Sequence, residues 1–161
     1  MYARNLIKNY LELQRVPYEH HVHPTAYTAQ RLAEVEHAPG AMVAKSVILR
    51  ADGQFIMAVL PASAKVDIPA LQKALGVGDL RLATESEFQE LFPDSDIGAM
   101  PPFGNLYEIP VCAEESLTAD EHILFNAGTH EDAIRMRYQD YSRLVQPKLC
   151  SFAARRVHRP A

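Results

Sequence analysis

The sequence predicts a single α+β domain with a mixed, mostly antiparallel central sheet that is flanked by short helices. The chain has 161 residues, a length typical of one domain. Amphipathic helical patterns alternate along it with short β-rich runs. Two apolar runs are joined at Asp52-Gly53, a pair of residues that favours a tight β-hairpin. We therefore expect one domain over residues 1–152, followed by a basic and flexible tail at 153–161.

In the first half of the chain, turn and capping residues set the expected boundaries. Pro17 stops the first helix, Thr28 is suited to cap the second, and Gly76 can take the left-handed conformation that ends the third. The expected elements are a helix at 3–15, a strand at 16–22, a helix at 29–38, hairpin strands at 42–50 and 54–60, and a helix at 70–75.

In the second half, Thr84 and Glu87 have the spacing of a capping box, and Pro93 blocks continuation of the helix that they open. Residues 94–105 are rich in turn formers and predict an ordered loop. The remaining expected elements are a strand at 106–113, a turn at 114–119, strands at 122–127 and 133–138, and a short helix at 139–145.

The charge balance argues against broad electrostatic binding of nucleic acid. The chain has 16 basic and 20 acidic side chains, whereas proteins that bind nucleic acid in this way usually carry a basic face. The longest apolar stretch, Phe55 to Ala62, is far shorter than the roughly 20 residues of a membrane-spanning helix. The first residues lack the apolar core of a secretory signal, so we expect a cytoplasmic protein.

Several common kinds of catalytic site find no support in the sequence. Cys112 and Cys150 have no metal-binding spacing, and we expect them to be buried thiols. His21 and His23 share one face of a strand, but no HExxH motif accompanies them, so we expect no metal. GxSxG, Walker A and GxGxxG motifs are also missing, which argues against an elbow nucleophile and against a nucleotide cofactor.

Lys45 is the first unusual residue, because it lies within the apolar run AMVAKSVIL. Alternation places it on one strand face with Val43 and Val47. Burial of an unpaired ammonium group is costly, so this side chain should reach solvent or face a cleft. An edge strand protected by a lysine and a functional cleft are equally compatible with the pattern.

Two glycine-containing loops are the other unusual features. Residues 98–105, GAMPPFGN, could form a rigid pocket wall or a plain connection between elements. Residues 125–132, FNAGTHED, run from a strand into a bend that exposes Thr129 and His130. Free backbone N–H groups at such a bend can bind an oxyanion, although an ordinary hairpin turn is equally compatible with this sequence.

These three segments together, in this order, resemble the YbaK/ProXp family of free-standing aminoacyl-tRNA deacylases. The family is related to the editing domain inserted in bacterial prolyl-tRNA synthetase, and the resemblance covers roughly residues 15 to 146. It rests on Lys45, on the GxxxP motif of residues 98–102, and on Gly128-Thr129-His130. It implies the family's α+β fold and hydrolysis of the ester between a wrongly attached amino acid and the 3′-terminal adenosine of a tRNA.

The resemblance also implies roles for individual residues. Lys45 would anchor the tRNA end or polarise the ester, and the GxxxP loop would shape the aminoacyl pocket and orient the α-amino group. The implied catalytic residues are Lys45, Gly128, Thr129 and His130. The implied substrate-binding residues are Ser46, Gly98, Met100, Pro101, Pro102, Phe103 and Gly104. Ser46 stands where some members carry asparagine, a difference that bears on acyl specificity.

We therefore expect trans-editing of a mischarged tRNA, most plausibly tRNA for proline carrying alanine or cysteine, without a cofactor and without a protein nucleophile. A synthetase or an elongation factor could deliver the substrate. The tail residues Arg155, Arg156, His158 and Arg159 could contact phosphates. The alternatives are a non-catalytic module of the same fold that binds tRNA or a synthetase and, with less support, a metal-dependent hydrolase that uses His21 and His23.

Overall fold

The elements of the fold are defined over residues 3–155 of the computed structural model, and the side chains over residues 6–154. The helices are α1 (Ala3–Leu13), α2 (Ala29–Val35), α3 (Ile68–Leu75), α4 (Glu85–Phe88) and α5 (Tyr138–Val145). The strands are β1 (Tyr18–Val22), β2 (Ala44–Ala51), β3 (Gln54–Pro61), β4 (Ala64–Val66), β5 (Leu80–Leu82), β6 (Val111–Glu114), β7 (His122–Asn126), β8 (Asp132–Arg137), β9 (Lys148–Cys150) and β10 (Ala153–Arg155).

The β2–β3 hairpin lies at the centre of a five-stranded sheet with the order β5-β2-β3-β6-β9. Its turn contains Asp52 and Gly53, both with positive φ, as the sequence predicts. β5 is antiparallel to β2, whereas β6 and β9 run parallel to β3. The predicted mixed α+β architecture is therefore confirmed.

A second, three-stranded sheet carries the loops of interest. Its order is β1-β8-β7, and both of its pairings are antiparallel. A parallel bridge between Val43 and Leu124 joins this sheet to the start of β2. The bridge places the beginning of β2 beside the end of β7, where the segment FNAGTHED begins.

Both faces of β2 are covered, which explains its nearly continuous apolar sequence. Ala44 and Ile48 pack into the cluster that also contains Phe103 and Tyr141. Val47 and Leu49 pack on the other face with residues of α3 and with Phe152. No helix among residues 3–155 is long and apolar enough to cross a membrane.

Three of the predicted caps are present in the structure. Thr28 caps α2 by accepting a hydrogen bond from the Arg31 N–H group at 3.0 Å. Gly76 ends α3 in the left-handed conformation, and Thr84 and Glu87 form the capping box of α4. The cysteines are buried as expected, and burial raises the pKa of Cys112 to about 11, which disfavours the reactive thiolate.

The predicted strand at 106–113 is wrong over most of its length. Gly104–Tyr107 forms a short 3-10 helix, and the strand begins only at Val111. Glu108 takes a left-handed conformation with φ of 58°, which interrupts any extended run. The alternation of apolar residues in this segment reflects loop side chains that pack inward, since Ile109 joins the main core.

The C-terminal segment also differs from the prediction, since Ala153–Arg155 forms β10 and pairs with β4. The buried carboxylate of Glu114 holds this segment in place. It accepts hydrogen bonds from the Phe152 N–H group at 3.2 Å and from both the N–H and hydroxyl groups of Ser116. Arg156, His158 and Arg159 lie outside the described residues.

We predict that Glu114→Gln destabilises the protein by about 1–3 kcal/mol, because the network loses its charge and one acceptor oxygen is replaced by an NH2 group that faces an N–H or O–H donor. Burial alone would raise the pKa of Glu114, but the hydrogen bonds from Ser116, Phe152 and Ala153 outweigh it and lower the pKa. A lowered native pKa gives stability that is present above the ordinary value of 4.5 and is lost as the pH falls below it. Urea unfolding at several pH values should therefore show that the free energy of unfolding falls less below pH 4.5 in Glu114→Gln than in the wild type. An equal fall in the two proteins would contradict this role of Glu114.

Gly104 is required by packing. A Cβ atom at this position would collide with the carbonyl oxygen of Ile109 and would lie 2.6 Å from Cγ2 of Val111. We predict that Gly104→Ala lowers the free energy of unfolding by about 1–3 kcal/mol, as overpacking usually does. Gly78→Ala is the matched control, because its Cβ would lie 3.4 Å from one carboxylate oxygen of Asp52. Urea midpoints that fall equally in the two variants would contradict the packing argument.

Candidate functional site

Two glycine loops that are 30 residues apart in sequence are joined by a pair of backbone hydrogen bonds. We call them the GxxxP loop (Gly98–Pro102) and the GTH turn (Gly128–His130). The Asp96 N–H group donates to the Gly128 carbonyl oxygen, and the Gly128 N–H group donates to the Ala99 carbonyl oxygen, both at 2.8 Å. The structure thus brings together two of the three segments that the sequence singles out.

Glycine is needed at the first position of each motif. Gly98 and Gly128 have φ values of +86° and +97°, which L side chains rarely adopt. A Cβ atom on Gly98 would lie 3.5 Å from Cε1 of His130. That distance is an ordinary van der Waals contact, so it is the positive φ, and not a lack of space, that favours glycine at position 98.

The imidazole of His130, the last residue of the GTH turn, contacts the segment just before the GxxxP loop and has one ring nitrogen without a partner in the described part of the chain. Its Nε2 lies 3.0 Å from the Ile97 carbonyl oxygen, so Nε2 carries the proton that is donated. Its Nδ1 is buried and makes no hydrogen bond to any residue that the structure describes. In the neutral ring, Nδ1 is therefore an acceptor that a bound ligand or water could satisfy.

The carboxyl group of Asp132 fixes the geometry of the GTH turn. One oxygen accepts a hydrogen bond from the Thr129 hydroxyl at 2.6 Å, and the other lies 2.7 Å from Nε2 of His20. The Asp132 side chain is only 3% exposed, which makes these contacts strong. Sequence reasoning missed the contact between Asp132 and His20 because these residues are far apart in sequence and meet only through the pairing of β1 with β8.

A cavity of about 400 Å³ opens beside the GTH turn. Its walls combine two threonine hydroxyls, two rings and three carboxyl groups, contributed by Thr25, Tyr27, Asp96, Thr129, His130, Glu131 and Asp132. We call it the acidic cavity. It has no lysine or arginine in its lining, so its charge suits a ligand with an ammonium group.

Lys45 lies on β2 near the end of β7 and does not line the acidic cavity. The isolated bridge between Val43 and Leu124 places the start of this part of the chain beside β7. The side chain is half-buried, and its Nζ donates to the Ala62 carbonyl oxygen at 3.4 Å. β5 pairs with β2 only from Leu49 to Ala51, so the paired neighbour of β2 at Lys45 is β3, and the edge-strand alternative stays open there.

The other predicted substrate-binding residues fall into two groups. Gly98 is exposed, and its N–H group lies 3.3 Å from the buried Met100 sulfur. Pro101, Pro102, Phe103 and Gly104 are buried, and the Tyr141 hydroxyl donates to the Pro102 carbonyl oxygen at 2.7 Å. This second group anchors the loop in the core.

Ser46 is on the β2 face opposite Lys45, and its hydroxyl oxygen is buried without a hydrogen-bond partner in the described part of the chain. Contact of Ser46 with a substrate stays a prediction.

The histidines of β1 contact carboxylates. His21 lies between Glu19 and Glu36, at 3.2 and 3.3 Å from their carboxylates. Within residues 3–155, no cluster of three or more His, Cys, Asp or Glu side chains is placed to hold a metal ion. A separate cavity of about 690 Å³ lies between α2 and β10 and includes Gln30 and Ser63 in its lining.

Comparison with known proteins identifies the family. A sequence model of the aminoacyl-tRNA editing domain matches residues 23–144. The multifunctional Ser/Thr-tRNA deacylase ProXp-y of Escherichia coli K12 is 27% identical over 135 residues, which cover 81% of this chain and 80% of that protein. A proline-tRNA ligase from Heliobacterium modesticaldum is 30% identical over 107 residues, or 66% of this chain and 18% of the ligase.

The fold is shared with a solved structure. The crystal structure of an enzyme described as trans-editing for prolyl-tRNA synthetase superposes with a TM-score of 0.81 at 20% identity, over 94% of this chain and 97% of that one. The predicted family is confirmed by a family match over most of the chain. This protein belongs to the aminoacyl-tRNA editing domain family.

Proposed function

We propose that the chain hydrolyses the ester of a mischarged aminoacyl-tRNA where the GxxxP loop meets the GTH turn. As a member of the aminoacyl-tRNA editing domain family, it is a hydrolase of aminoacyl-tRNA esters. The observation that carries the assignment of the site is the buried, unpartnered Nδ1 of His130 beside a cavity with acidic walls. Such an arrangement leaves both an acceptor and a cation-binding wall for a ligand to use.

The acidic cavity is the proposed site of the α-ammonium group. Asp96 and Glu131 are exposed members of its lining, so their carboxyl groups can reach an entering ligand. An uncharged N-acyl group would lose this attraction. The cavity therefore selects free aminoacyl esters over N-blocked ones.

The ester carbonyl is placed against the backbone of the GTH turn. The Gly128 N–H group is occupied by the Ala99 carbonyl, whereas the amides of Thr129 and His130 have no acceptor among the described residues. These two amides are the proposed donors to the developing oxyanion. Gly128, the third residue that the resemblance implies, would act through its conformation and not as a donor.

Hydrolysis then needs no protein nucleophile, because a water molecule attacks the ester and the ribose 2′-hydroxyl of the substrate assists it. A water molecule, aligned by the ribose 2′-hydroxyl, attacks the carbonyl carbon and gives up a proton toward Nδ1 of His130. The tetrahedral intermediate collapses, the bond from the carbonyl carbon to the 3′-oxygen breaks, and that oxygen takes back the proton that Nδ1 of His130 accepted, which returns the ring to its neutral form. The products are the free amino acid and a tRNA with its 3′-hydroxyl restored.

Lys45 is proposed to bind the negative side of the substrate. It lies near the end of β7 and outside the acidic cavity, so its ammonium can meet the ribose-phosphate end while the amino acid enters the cavity. This separation of positive and negative groups gives the substrate one orientation. Ser46 and Met100 are proposed to shape the site around the bound substrate.

The proposed substrate is tRNA for proline that carries a small amino acid, such as alanine or cysteine. Serine and threonine esters are the second candidates. The hydroxyls of Thr25 and Thr129 in the cavity lining favour them, because these groups can pair with a hydroxyl side chain. The name of the Escherichia coli relative points the same way.

Delivery by a synthetase or an elongation factor in the cytoplasm is consistent with this proposal. The net charge of −4 leaves little general attraction for tRNA. A partner that binds the body of the tRNA would supply affinity that the chain itself lacks.

We predict that Lys45→Ala lowers kcat/KM for the aminoacyl-tRNA that the wild type hydrolyses by about 10- to 100-fold, because a charged hydrogen-bond donor to the ribose-phosphate end of the substrate is lost. Release of alanine, cysteine, serine and threonine from tRNA for proline would be followed with radiolabelled substrates. Lys73→Ala, an exposed lysine on α3, is the matched control and should retain full activity. Full activity of Lys45→Ala would refute its role, and no release by the wild type would favour the binding-module alternative.

His130→Ala should lower kcat by about 100-fold or more, because the proton acceptor is removed. We also expect it to change the ratio of serine to alanine release, since the ring forms part of the cavity wall. His122→Ala at the other end of β7 is the control. Urea unfolding would show whether both variants keep wild-type stability, and an unchanged substrate profile in a folded His130→Ala protein would remove His130 from the pocket.

A further inference from the structure

Tyr27 is a large aromatic side chain that folding alone does not explain. It is 74% exposed, yet its ring lies 5.1 Å from the ring of His130 and lines the acidic cavity. An exposed ring contributes little to a hydrophobic core. Its position beside the proposed reaction site therefore calls for another explanation.

The backbone holds Tyr27 in place on both sides. The neighbouring Ala26 is fully buried, and its N–H group donates to the His130 carbonyl oxygen at 2.9 Å. On the other side, Thr28 caps α2. The ring is thus presented to solvent from an anchored segment, and a ligand that uses it need not order a mobile loop.

His130 completes this surface. Its Nε2 donates to the carbonyl oxygen of Ile97, a residue that is itself 39% exposed. Tyr27 and His130 together form a small aromatic surface in the lining of the acidic cavity, which we call the Tyr27 ledge. A flat, partly apolar ligand fits such a surface.

The charge around the ledge restricts what can bind there. Asp96 and Glu131 line the same cavity, so a phosphate group would be repelled. A nucleobase offers a π-face that stacks on an aromatic ring without needing a positive partner. On the proposed function, the base joined to the ribose that carries the ester must lie just outside the cavity.

We propose that the Tyr27 ledge is the stacking platform for the 3′-terminal adenine of the aminoacyl-tRNA. This inference rests on the proposed function and adds a contact to it. Stacking on Tyr27 holds the nucleoside, and the acidic cavity holds the amino acid. The two contacts set the ester bond between them, over the GTH turn.

The test compares two probes that cannot be hydrolysed by this reaction. One is 3′-alanylamino-3′-deoxyadenosine, which has the base, and the other is alaninamide, which lacks it. Binding to the wild type, Tyr27→Ala and Tyr27→Phe would be measured by NMR titration. Leu82→Ala, which removes a 55% exposed apolar side chain on β5, is the matched control.

Base stacking contributes about 1–3 kcal/mol, so Tyr27→Ala should weaken binding of the adenosine probe by about 5- to 150-fold. Tyr27→Phe and Leu82→Ala should bind it as the wild type does, and alaninamide should bind equally to all four proteins. Equal affinity of Tyr27→Ala and wild type for the adenosine probe would overturn the proposal. An equal loss with both probes would overturn it too, because Tyr27 would then contact the amino acid.

Deacylation of aminoacyl-tRNA by the same proteins separates this inference from the proposed function. A rise in KM without a matching fall in kcat for Tyr27→Ala supports the stacking role. If the wild type releases no amino acid, the proposed function fails, whereas the ratio of the two probe affinities still decides whether Tyr27 binds the base.

Discussion

The candidate site depends on the backbone of residues 128–131, which accepts hydrogen bonds from two other parts of the chain. The Gly128 carbonyl accepts from Asp96, the His130 carbonyl from Ala26, and the Glu131 carbonyl from His23. The GxxxP loop and the segment before α2 are thereby fixed against one turn. Such preorganised backbone geometry is what an enzyme needs to stabilise charge without reorganisation during the reaction.

The backbone of residues 128–131 also determines where the charged side chains of the site lie. Three carboxyl groups line the cavity beside the turn, whereas Lys45 lies on β2 and outside the lining of that cavity. An aminoacyl ester has the same division, because its ammonium lies at one end and its phosphates at the other. On the proposed function, the chain orients such a substrate with few contacts. This is consistent with its net charge of −4, which gives little general attraction for tRNA.

The sequence alone was enough to predict the turns and helix caps, because these depend on residues close together in the chain. The hairpin at Asp52-Gly53 and the caps at Thr28 and Gly76 are examples. The strands β4, β5 and β9 have three residues each and leave no detectable alternation. Asp132, Asp96 and Tyr27 were missed because their importance arises from contacts across the fold. Motif spacing identified the GTH turn, but only tertiary structure could show that the Gly128 amide is already occupied.

The most direct test of the account is the position of a bound substrate analogue. A crystal structure with 3′-serylamino-3′-deoxyadenosine should show the ammonium group within hydrogen-bond distance of Asp96 or Glu131. The acyl carbonyl oxygen should face the amides of Thr129 and His130. An acyl group bound instead in the cavity between α2 and β10, beside Gln30 and Ser63, would contradict the central claim.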